Sequence, residues 1–151
     1  MGDIVLYASL GLFAASLGYG LFALARVVHF GRNLQRAATR AVTAPVTLLK
    51  PLCGLEPDFA DNLRSFCRQD YPAYQIVFGV RDPADPAVAI VNALMTEFPE
   101  RDIALMIDET VHGANLKVSN LVNMMAAAKY DLLVISDSDM RVEPHYIDAI
   151  V

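Results

Sequence analysis

Hydrophobic residues follow two different patterns along this chain. Residues 4–25 form an uncharged run, IVLYASLGLFAASLGYGLFALA. From residue 45 onward, short apolar runs alternate with segments whose apolar residues recur at helical spacing. An unbroken run of this length is typical of a membrane or core helix, whereas the alternation is typical of strands and helices in an α/β domain. The chain is therefore predicted to have an apolar N-terminal helix followed by an α/β domain.

The apolar run has three interpretations. As a helix it would extend roughly 33 Å, enough to cross a hydrocarbon core of about 30 Å. A cleaved signal peptide would need positive charge before the run and a small-residue cleavage site after it, but only Asp3 precedes it and no such site is evident before Arg26. A helix buried in a soluble core rarely lacks a polar stripe over this length. Hydropathy therefore favours a retained transmembrane anchor, assigned to residues 1–28.

Positive charge follows the anchor directly. Residues 26–50 contain no acidic residue, and their basic residues are Arg26, Arg32, Arg36, Arg40 and Lys50. This flank predicts that the following residues face the cytoplasm, with 29–44 as a basic juxtamembrane linker against the bilayer. A solvated linker helix would account for the same arginines. The formal net charge of the whole chain is −5, which argues against nucleic acid as a partner.

The second pattern predicts alternating strands and helices. The strands are predicted at 46–52, 74–80, 102–107 and 131–136. The helices are predicted at 57–69, 87–98, 117–130 and from Pro144 onward. Asp58 is expected to cap the first of these helices, and Val118, Leu121, Met125 and Ala128 to form the apolar face of the third. Strands with nearly continuous apolar residues are typical of a mostly parallel sheet that is covered on both faces.

Polar residues follow three of the predicted strands. Lys50 ends the first strand, Asp82 follows the second, and Asp137 and Asp139 follow the fourth. In open α/β sheets, ligands bind at the carboxyl ends of the strands. We therefore expect these four residues to lie at one edge of the sheet.

The two acids of the segment ISDSDMRV (135–142) repel each other unless a cation lies between them. Mg²⁺ and Mn²⁺ take oxygen ligands and often keep substrate phosphates as further ligands. The position of Asp137 and Asp139 after a buried strand favours a metal site shared with a nucleotide diphosphate. The alternatives are two solvated loop acids at this position, a turn at Asp82 before Pro83, and a lysine at a strand end that only reaches solvent.

Several common classes of enzyme lack support in the sequence. The motifs GxGxxG, GxxxxGK[ST], GxSxG and HExxH are absent, which disfavours the usual dinucleotide-binding, P-loop, α/β-hydrolase and zincin sites. Cys53 and Cys67 form no CxxC pair and are expected to be free thiols.

Four segments of the chain resemble the ceramide glucosyltransferase family (glycosyltransferase family 21) of membrane-bound enzymes. They are LLKPLCG (48–54), FCRQDYPAYQIVFGVRDPADPA (66–87), NLKVSNL (115–121) and ISDSDMRV (135–142). Within the family, the likeness is greatest to bacterial hopanoid-biosynthesis glycosyltransferases. The resemblance implies that residues 45–151 are the nucleotide-binding half of a GT-A domain, which is Rossmann-like with a mostly parallel sheet.

The resemblance also implies roles for individual residues. It assigns nucleotide-sugar binding to Lys50, Asp82, Lys117, Asn120 and Asp137. Asp82 would hold the uridine, Lys117 and Asn120 would line the donor pocket, and Lys50 matches a family lysine without a specified role. Asp139, with Asp137, would bind Mg²⁺ or Mn²⁺.

The chain departs from the family in its C-terminal part. The family's third aspartate, which acts as the general base, and its Q/R-x-x-R-W motif do not occur here, and the chain has no tryptophan. We therefore expect that the sequence is incomplete and that the general base and acceptor site lie beyond Val151.

The expected function is that of a membrane-bound inverting glycosyltransferase on the cytoplasmic face of a bacterial inner membrane. It would transfer N-acetylglucosamine or glucose from a UDP-sugar to a lipid hydroxyl, on a hopanoid such as bacteriohopanetetrol or otherwise on ceramide. The alternatives are a processive polysaccharide synthase or dolichyl-phosphate-type sugar transferase, a non-catalytic anchored nucleotide-sugar-binding module, and a structural subunit. The sequence does not predict the oligomeric state.

Overall fold

A computed structural model describes residues 2–38 and 43–151 of the chain, with side chains described for residues 6, 7, 9–30 and 43–151. The chain divides into two compact units, Met1–Ala41 and Val42–Val151.

The N-terminal unit contains a single described helix, α1 (Gly2–Ala38). Its segment Ser9–Phe30 is long and apolar enough to cross a membrane, with a mean hydropathy of 1.6 and none of the segment buried within the protein. Phe13 and Phe22 are 69% and 63% exposed, as expected for a helix whose apolar side chains face lipid. The predicted N-terminal apolar helix is confirmed as a candidate membrane span. The helix includes residues 29–38 of the predicted linker, whereas 39–42 lie outside the described residues.

The second unit is built on a four-stranded sheet in which every pair of neighbours is parallel. The strands are β1 (Val46–Pro51), β2 (Tyr74–Val80), β3 (Asp102–Ile107) and β4 (Leu132–Ile135). Their order is β3-β2-β1-β4, so Leu48 pairs with Ile76 on one side and with Val134 on the other. The predicted parallel α/β sheet is confirmed. Because chain order reverses between β1 and β4, a crevice forms there at the carboxyl ends of the strands.

Helices cover both faces of this sheet. They are α2 (Phe59–Cys67), α3 (Ala87–Glu97), α4 (Leu116–Met124), which continues as a 3₁₀ turn (Met125–Ala127), and α5 (Tyr146–Ile150). On one face α2, α3 and α5 enclose the larger core, which includes Leu48, Phe66, Ile76, Phe78 and Ile147. On the other face α4 packs Met124 against Leu49 and Val77. The central strands β1 and β2 are therefore buried on both sides, as predicted, whereas the edge strands β3 and β4 are only partly buried, contrary to the prediction.

The start of α2 differs from the prediction. Asp58 occupies the position before the helix, but its side chain makes no capping hydrogen bond and its backbone is left-handed, with φ 56°. The expectation that Asp58 caps this helix is therefore wrong. A side chain caps α4 instead: the Asn115 side chain accepts hydrogen bonds from the N–H groups of Lys117 and Val118.

The buried face of α4 differs in part from the predicted one, although Leu121 packs beside Met124 as expected. Val118 and Met125, which were expected to be core residues, are 52% and 49% exposed. The face that packs on the sheet consists of Ser119, Asn120, Asn123 and Met124. The Asn120 amide donates to the Gly79 carbonyl at 2.8 Å, and the Asn123 amide donates to the Asp108 carbonyl at 3.1 Å. Buried strand-end carbonyls need donors, so hydrogen bonding rather than apolar periodicity decides how α4 is oriented.

The approach of α4 to β2 requires a glycine at position 79. A Cβ atom there would lie 2.3 Å from the Met124 sulfur and 2.7 Å from the Asn120 side-chain oxygen. Met124 is fully buried, so it has little space to move away.

We predict that Gly79→Ala lowers the free energy of unfolding by about 1–3 kcal/mol, because the added methyl group overpacks this contact. Gly113→Ala is the matched control, since a Cβ at Gly113 meets nothing within 4 Å, and its effect should stay within about 0.5 kcal/mol. Denaturant unfolding of the detergent-solubilised protein, followed by circular dichroism, measures both. Equal stability of the two variants would contradict the proposed close packing.

Candidate functional site

A cavity of about 510 Å³ opens at the carboxyl ends of β1, β2 and β4. Five of the six predicted site residues line it, namely Asp82, Lys117, Asn120, Asp137 and Asp139. Lys50, the sixth, is not among the lining residues. The expected convergence at one sheet edge therefore occurs, while the roles of these residues in binding stay predictions.

The acidic turn (residues 136–139) follows β4 directly. The Ser136 N–H donates to the Leu49 carbonyl at 3.1 Å, which extends the pairing with β1 by one further bond. After that bond the chain leaves the sheet, and the Met140 N–H donates back to the Asp137 carbonyl at 3.4 Å. The turn places the side chains of both Asp137 and Asp139 at the cavity.

Lys117 provides a positive charge at this turn. Its Nζ lies 2.5 Å from the Asp137 Oδ1, and both side chains are about half exposed, at 51% and 56%. An exposed ion pair of this kind contributes little to stability. Its importance is positional, because it places an ammonium group beside one carboxylate within the cavity.

The loop after β2 contributes two further acids. The Asp82 Oδ1 accepts a hydrogen bond from the Ala84 N–H at 2.8 Å, so this side chain both forms a turn and lines the cavity. Asp85 accepts from the N–H groups of Gly54 and Ala87, each at 2.8 Å. Asp85 therefore joins the loop after β1 to the start of α3. Gly54 has φ 67°, a conformation that favours glycine.

Lys50 lies beneath the acidic turn and is fully buried. Its Nζ donates to the Ser136 Oγ at 3.1 Å and to the Asp137 carbonyl at 2.7 Å. It also lies 3.5 Å from the centre of the Phe66 ring. Burial lowers the pKa of the Lys50 ammonium to about 7, although the negative charges of Asp137 and Asp139 act in the opposite direction.

The lining residues that sequence reasoning missed include Cys53, Glu56 and Arg81. Arg81 follows β2 immediately, and its guanidinium donates to the Glu109 carbonyl at 3.3 Å while its Nε is buried without a hydrogen-bond partner. The position of Arg81 at a strand end is the sequence feature that could have identified it as a lining residue. Glu56 accepts a hydrogen bond from the Ser138 Oγ at 3.2 Å, and that contact depends on two loops that are distant in sequence.

The cavity suits a metal ion only if a ligand completes its coordination. Within the described part of the chain, three or more His, Cys, Asp or Glu side chains are nowhere grouped to hold a metal ion. Asp137 and Asp139 supply oxygen donors, and Mg²⁺ or Mn²⁺ commonly adds water and substrate phosphate oxygens to such a pair. The donor set therefore fits a metal that is shared with a phosphorylated ligand.

Charge at the cavity supports the same conclusion. The acidic lining residues are Glu56, Asp82, Asp85, Asp137 and Asp139, against the basic residues Arg81 and Lys117. An anionic ligand in this lining is repelled unless a further cation accompanies it.

A family model places the chain among known proteins. Residues 9–151 match the model described as Glycosyl transferase family 21. The chain belongs to this family, which confirms the resemblance found from the four sequence segments.

Curated relatives with the name ceramide glucosyltransferase are similar to this chain. One from Komagataella phaffii (strain GS115 / ATCC 20864) is 34% identical over 101 residues, which are 64% of this chain and 20% of the relative. Ceramide glucosyltransferase 1 of Caenorhabditis elegans is 29% identical over 125 residues, which are 80% of this chain and 27% of the relative. The chain thus spans about a fifth to a quarter of the length of these relatives.

Solved structures with a similar fold confirm the GT-A-like architecture. The mannosyltransferase PcManGT from Pyrobaculum calidifontis, in complex with GDP-Man and Mn²⁺, has a TM-score of 0.60 at 20% identity, covering 82% of this chain and 40% of that one. S. aureus TarS 1-349 in complex with UDP-GlcNAc has a TM-score of 0.55 at 17% identity, covering 70% of this chain and 30% of that one. At these identities the likeness concerns the fold alone.

We predict that only one of the two cysteines reacts with a thiol reagent in the native protein. Cys53 is exposed at the cavity, whereas Cys67 is buried. Burial raises the pKa of the Cys67 thiol to about 12, so at pH 8 it stays protonated and is a poor nucleophile. Maleimide labelling at pH 8, read by intact-mass spectrometry, should add one label to the native chain and two after denaturation.

The variants Cys53→Ser and Cys67→Ser assign the label. The first should abolish native labelling and the second should leave it intact. Labelling of Cys67 at the rate of Cys53 would show that α2 does not pack on the sheet as described.

Proposed function

We propose that this chain is the donor-binding part of a membrane-bound, metal-dependent glycosyltransferase that transfers a sugar from a UDP-sugar to a lipid hydroxyl. One observation carries the proposal: Asp82, Lys117, Asp137 and Asp139 meet at a single cavity at the strand ends, in a chain of glycosyl transferase family 21. In open α/β sheets this edge is where nucleotides bind.

Asp82 is proposed to bind the uridine. Its Oδ1 is held by the Ala84 N–H, and a carboxylate fixed in this way can accept further hydrogen bonds from a base N–H or a ribose hydroxyl. Two proteins with the same fold were solved with nucleotide sugars, UDP-GlcNAc in one and GDP-Man with Mn²⁺ in the other. They support a nucleoside diphosphate sugar as the ligand of this chain.

Asp139, together with Asp137, is proposed to hold Mg²⁺ or Mn²⁺. When bound, the metal would neutralise the negative charge that develops on the departing diphosphate. Lys117 would add a second positive charge from the start of α4, since its Nζ already contacts Asp137. Asn120 donates its amide to the Gly79 carbonyl, so it would support the donor pocket by holding α4 in place beside it.

The proposed reaction is a single displacement with inversion at the anomeric carbon. A general base outside these 151 residues would remove the proton from the acceptor hydroxyl as its oxygen attacks the anomeric carbon. The bond between that carbon and the diphosphate oxygen breaks at the same time, and UDP leaves with the bonding electrons. The 151 residues would thus bind and orient the donor.

The acceptor is proposed to be a membrane lipid. The exposed apolar side chains of Ser9–Phe30 suit a span in the bilayer, and the basic residues after it favour a cytoplasmic position for the sheet. The relatives bear the name ceramide glucosyltransferase. Resemblance to the hopanoid enzymes makes bacteriohopanetetrol the first lipid to test, with ceramide as the alternative, and N-acetylglucosamine and glucose as the sugars, in a bacterial inner membrane.

The test is sugar transfer by membranes that contain the full-length protein. Radiolabelled UDP-N-acetylglucosamine and UDP-glucose would each be offered with bacteriohopanetetrol and with ceramide, in the presence of Mn²⁺ or Mg²⁺. We expect one labelled lipid that disappears on chelation with EDTA and returns on addition of metal. A labelled polymer would instead indicate a polysaccharide synthase, and UDP binding without any product would indicate a non-catalytic binding module.

We predict that Asp139→Asn lowers the rate of transfer by about 10²-fold or more, because the variant loses a charged oxygen ligand at the diphosphate. Asp102→Asn is the matched control. Asp102 is the first residue of β3, at the opposite edge of the sheet, where it pairs with Lys129. Initial rates of labelled lipid formation, at equal amounts of membrane-bound protein, should stay within about twofold for this control. Full activity of Asp139→Asn would overturn the metal assignment.

A further inference from the structure

Among the side chains that the structure describes, Lys50 combines an ionisable group with full burial. Burial of an ammonium group is costly unless hydrogen bonds and polarisable groups compensate for the lost water. The contacts of this group therefore indicate what it does.

The contacts of Lys50 converge on the start of the acidic turn. Its Nζ donates to the Ser136 Oγ at 3.1 Å and to the Asp137 carbonyl at 2.7 Å, and the Phe66 ring lies against it. The neighbouring residue of β1, Leu49, accepts the Ser136 N–H at 3.1 Å. Two consecutive residues of β1 thus hold two consecutive residues of the turn by three hydrogen bonds.

These bonds determine which way Asp137 faces. Its carbonyl points inward to the buried ammonium, while its carboxylate is 56% exposed and lies at the cavity. The Met140 N–H also donates to this carbonyl, but at 3.4 Å, so the 2.7 Å bond from Lys50 is the shorter one. Without that bond the peptide group between Asp137 and Ser138 would be held less tightly, and its rotation would redirect both acids of the turn.

We infer that Lys50 is a positioning residue, whose buried side chain holds the Asp137 carbonyl so that Asp137 and Asp139 both face the cavity. The inference rests on the proposed function in one respect, since it is the metal and diphosphate that require this orientation. Lys50 would act through the turn and would not touch the nucleotide. Lys117, which lines the cavity, is the lysine that reaches the ligand.

Amide hydrogen exchange tests, without any ligand, whether Lys50 holds the acidic turn in place. The variant Lys50→Met keeps the length of the side chain and removes its donors, and Lys129→Met removes an exposed lysine at the opposite edge. In the detergent-solubilised full-length protein, amide exchange in peptides covering residues 136–142 should be at least about tenfold faster in Lys50→Met, and unchanged in Lys129→Met. The hydrogen-bonded N–H groups in this segment include those of Ser136 and Met140, at the turn, and that of Val142, which donates to the Ser65 Oγ.

Calorimetric titration with two ligands distinguishes positioning from general support of the fold. Under the proposed function, UDP with Mn²⁺ would bind at the acidic turn, whereas uridine without metal would bind only at the Asp82 side of the cavity. Loss of a group that orients metal ligands typically weakens metal binding about 10–100-fold. We therefore expect Lys50→Met to weaken binding of UDP with Mn²⁺ by about tenfold or more, and binding of uridine by less than about twofold.

A milder variant keeps the test open if Lys50→Met does not fold. Ser136→Ala removes one of the two acceptors of the Lys50 ammonium and leaves the bond to the Asp137 carbonyl, so this variant should fold. It should weaken the binding of UDP with Mn²⁺ by about threefold and leave the binding of uridine unchanged. An unchanged affinity in this variant, when Lys50→Met is unfolded, would overturn the inference.

The remaining outcomes separate this inference from the proposed function. Unchanged exchange in Lys50→Met, or an equal loss of affinity for both ligands, would overturn the positioning role. Faster exchange with unchanged affinity for UDP and Mn²⁺ would overturn it as well. Faster exchange in a protein whose wild-type form binds no UDP would refute the proposed function, while the hold of Lys50 on the turn would stand.

Discussion

The pairing of β1 with two parallel neighbours is the constraint on which the site depends. β1 pairs with β2 over Val46–Pro51 but with β4 only from Val46 to Leu49. Because β4 ends two residues earlier, Lys50 and Pro51 have no partner in the ladder on that side. The acidic turn forms in the space that is left, and the reversal of strand order keeps helices from covering it. A short edge strand beside a longer central one is thus what opens the cavity between them.

The two sides of the sheet are held in chemically different ways. On the α2 and α3 side the contacts are those of an ordinary apolar core, and Lys50 extends into it against Phe66. On the α4 side, buried amides of Asn120 and Asn123 bind carbonyl groups at the strand ends. Directional hydrogen bonds fix a helix more narrowly than apolar packing does. The start of α4, with Lys117, is consequently held at a defined position over the cavity.

The strands could be predicted from the sequence because their information is local. β2 and β3 have the predicted bounds, 74–80 and 102–107, since each is a mostly apolar run between turn residues. The buried face of α4 was predicted correctly at Leu121 but wrongly at Val118 and Met125, because helical periodicity reports apolar spacing and not the hydrogen bonds that strand ends require. The sequence placed Lys50 at a strand end, but the direction of its Nζ depends on Ser136, 86 residues further along the chain. Such a contact exists only once the β1–β4 pairing has formed.

The excess of acids at the cavity explains why the basic residues are placed as they are. Were a lysine to occupy the space between Asp137 and Asp139 permanently, it would neutralise them and remove the reason for a metal to bind. Lys117 instead contacts a single oxygen of Asp137 from an exposed position, and Lys50 contacts the backbone of that residue from the buried side. Neither of these contacts involves the Asp139 carboxylate. The arrangement leaves carboxylate oxygens of both acids at the cavity, where the proposed metal and diphosphate would bind.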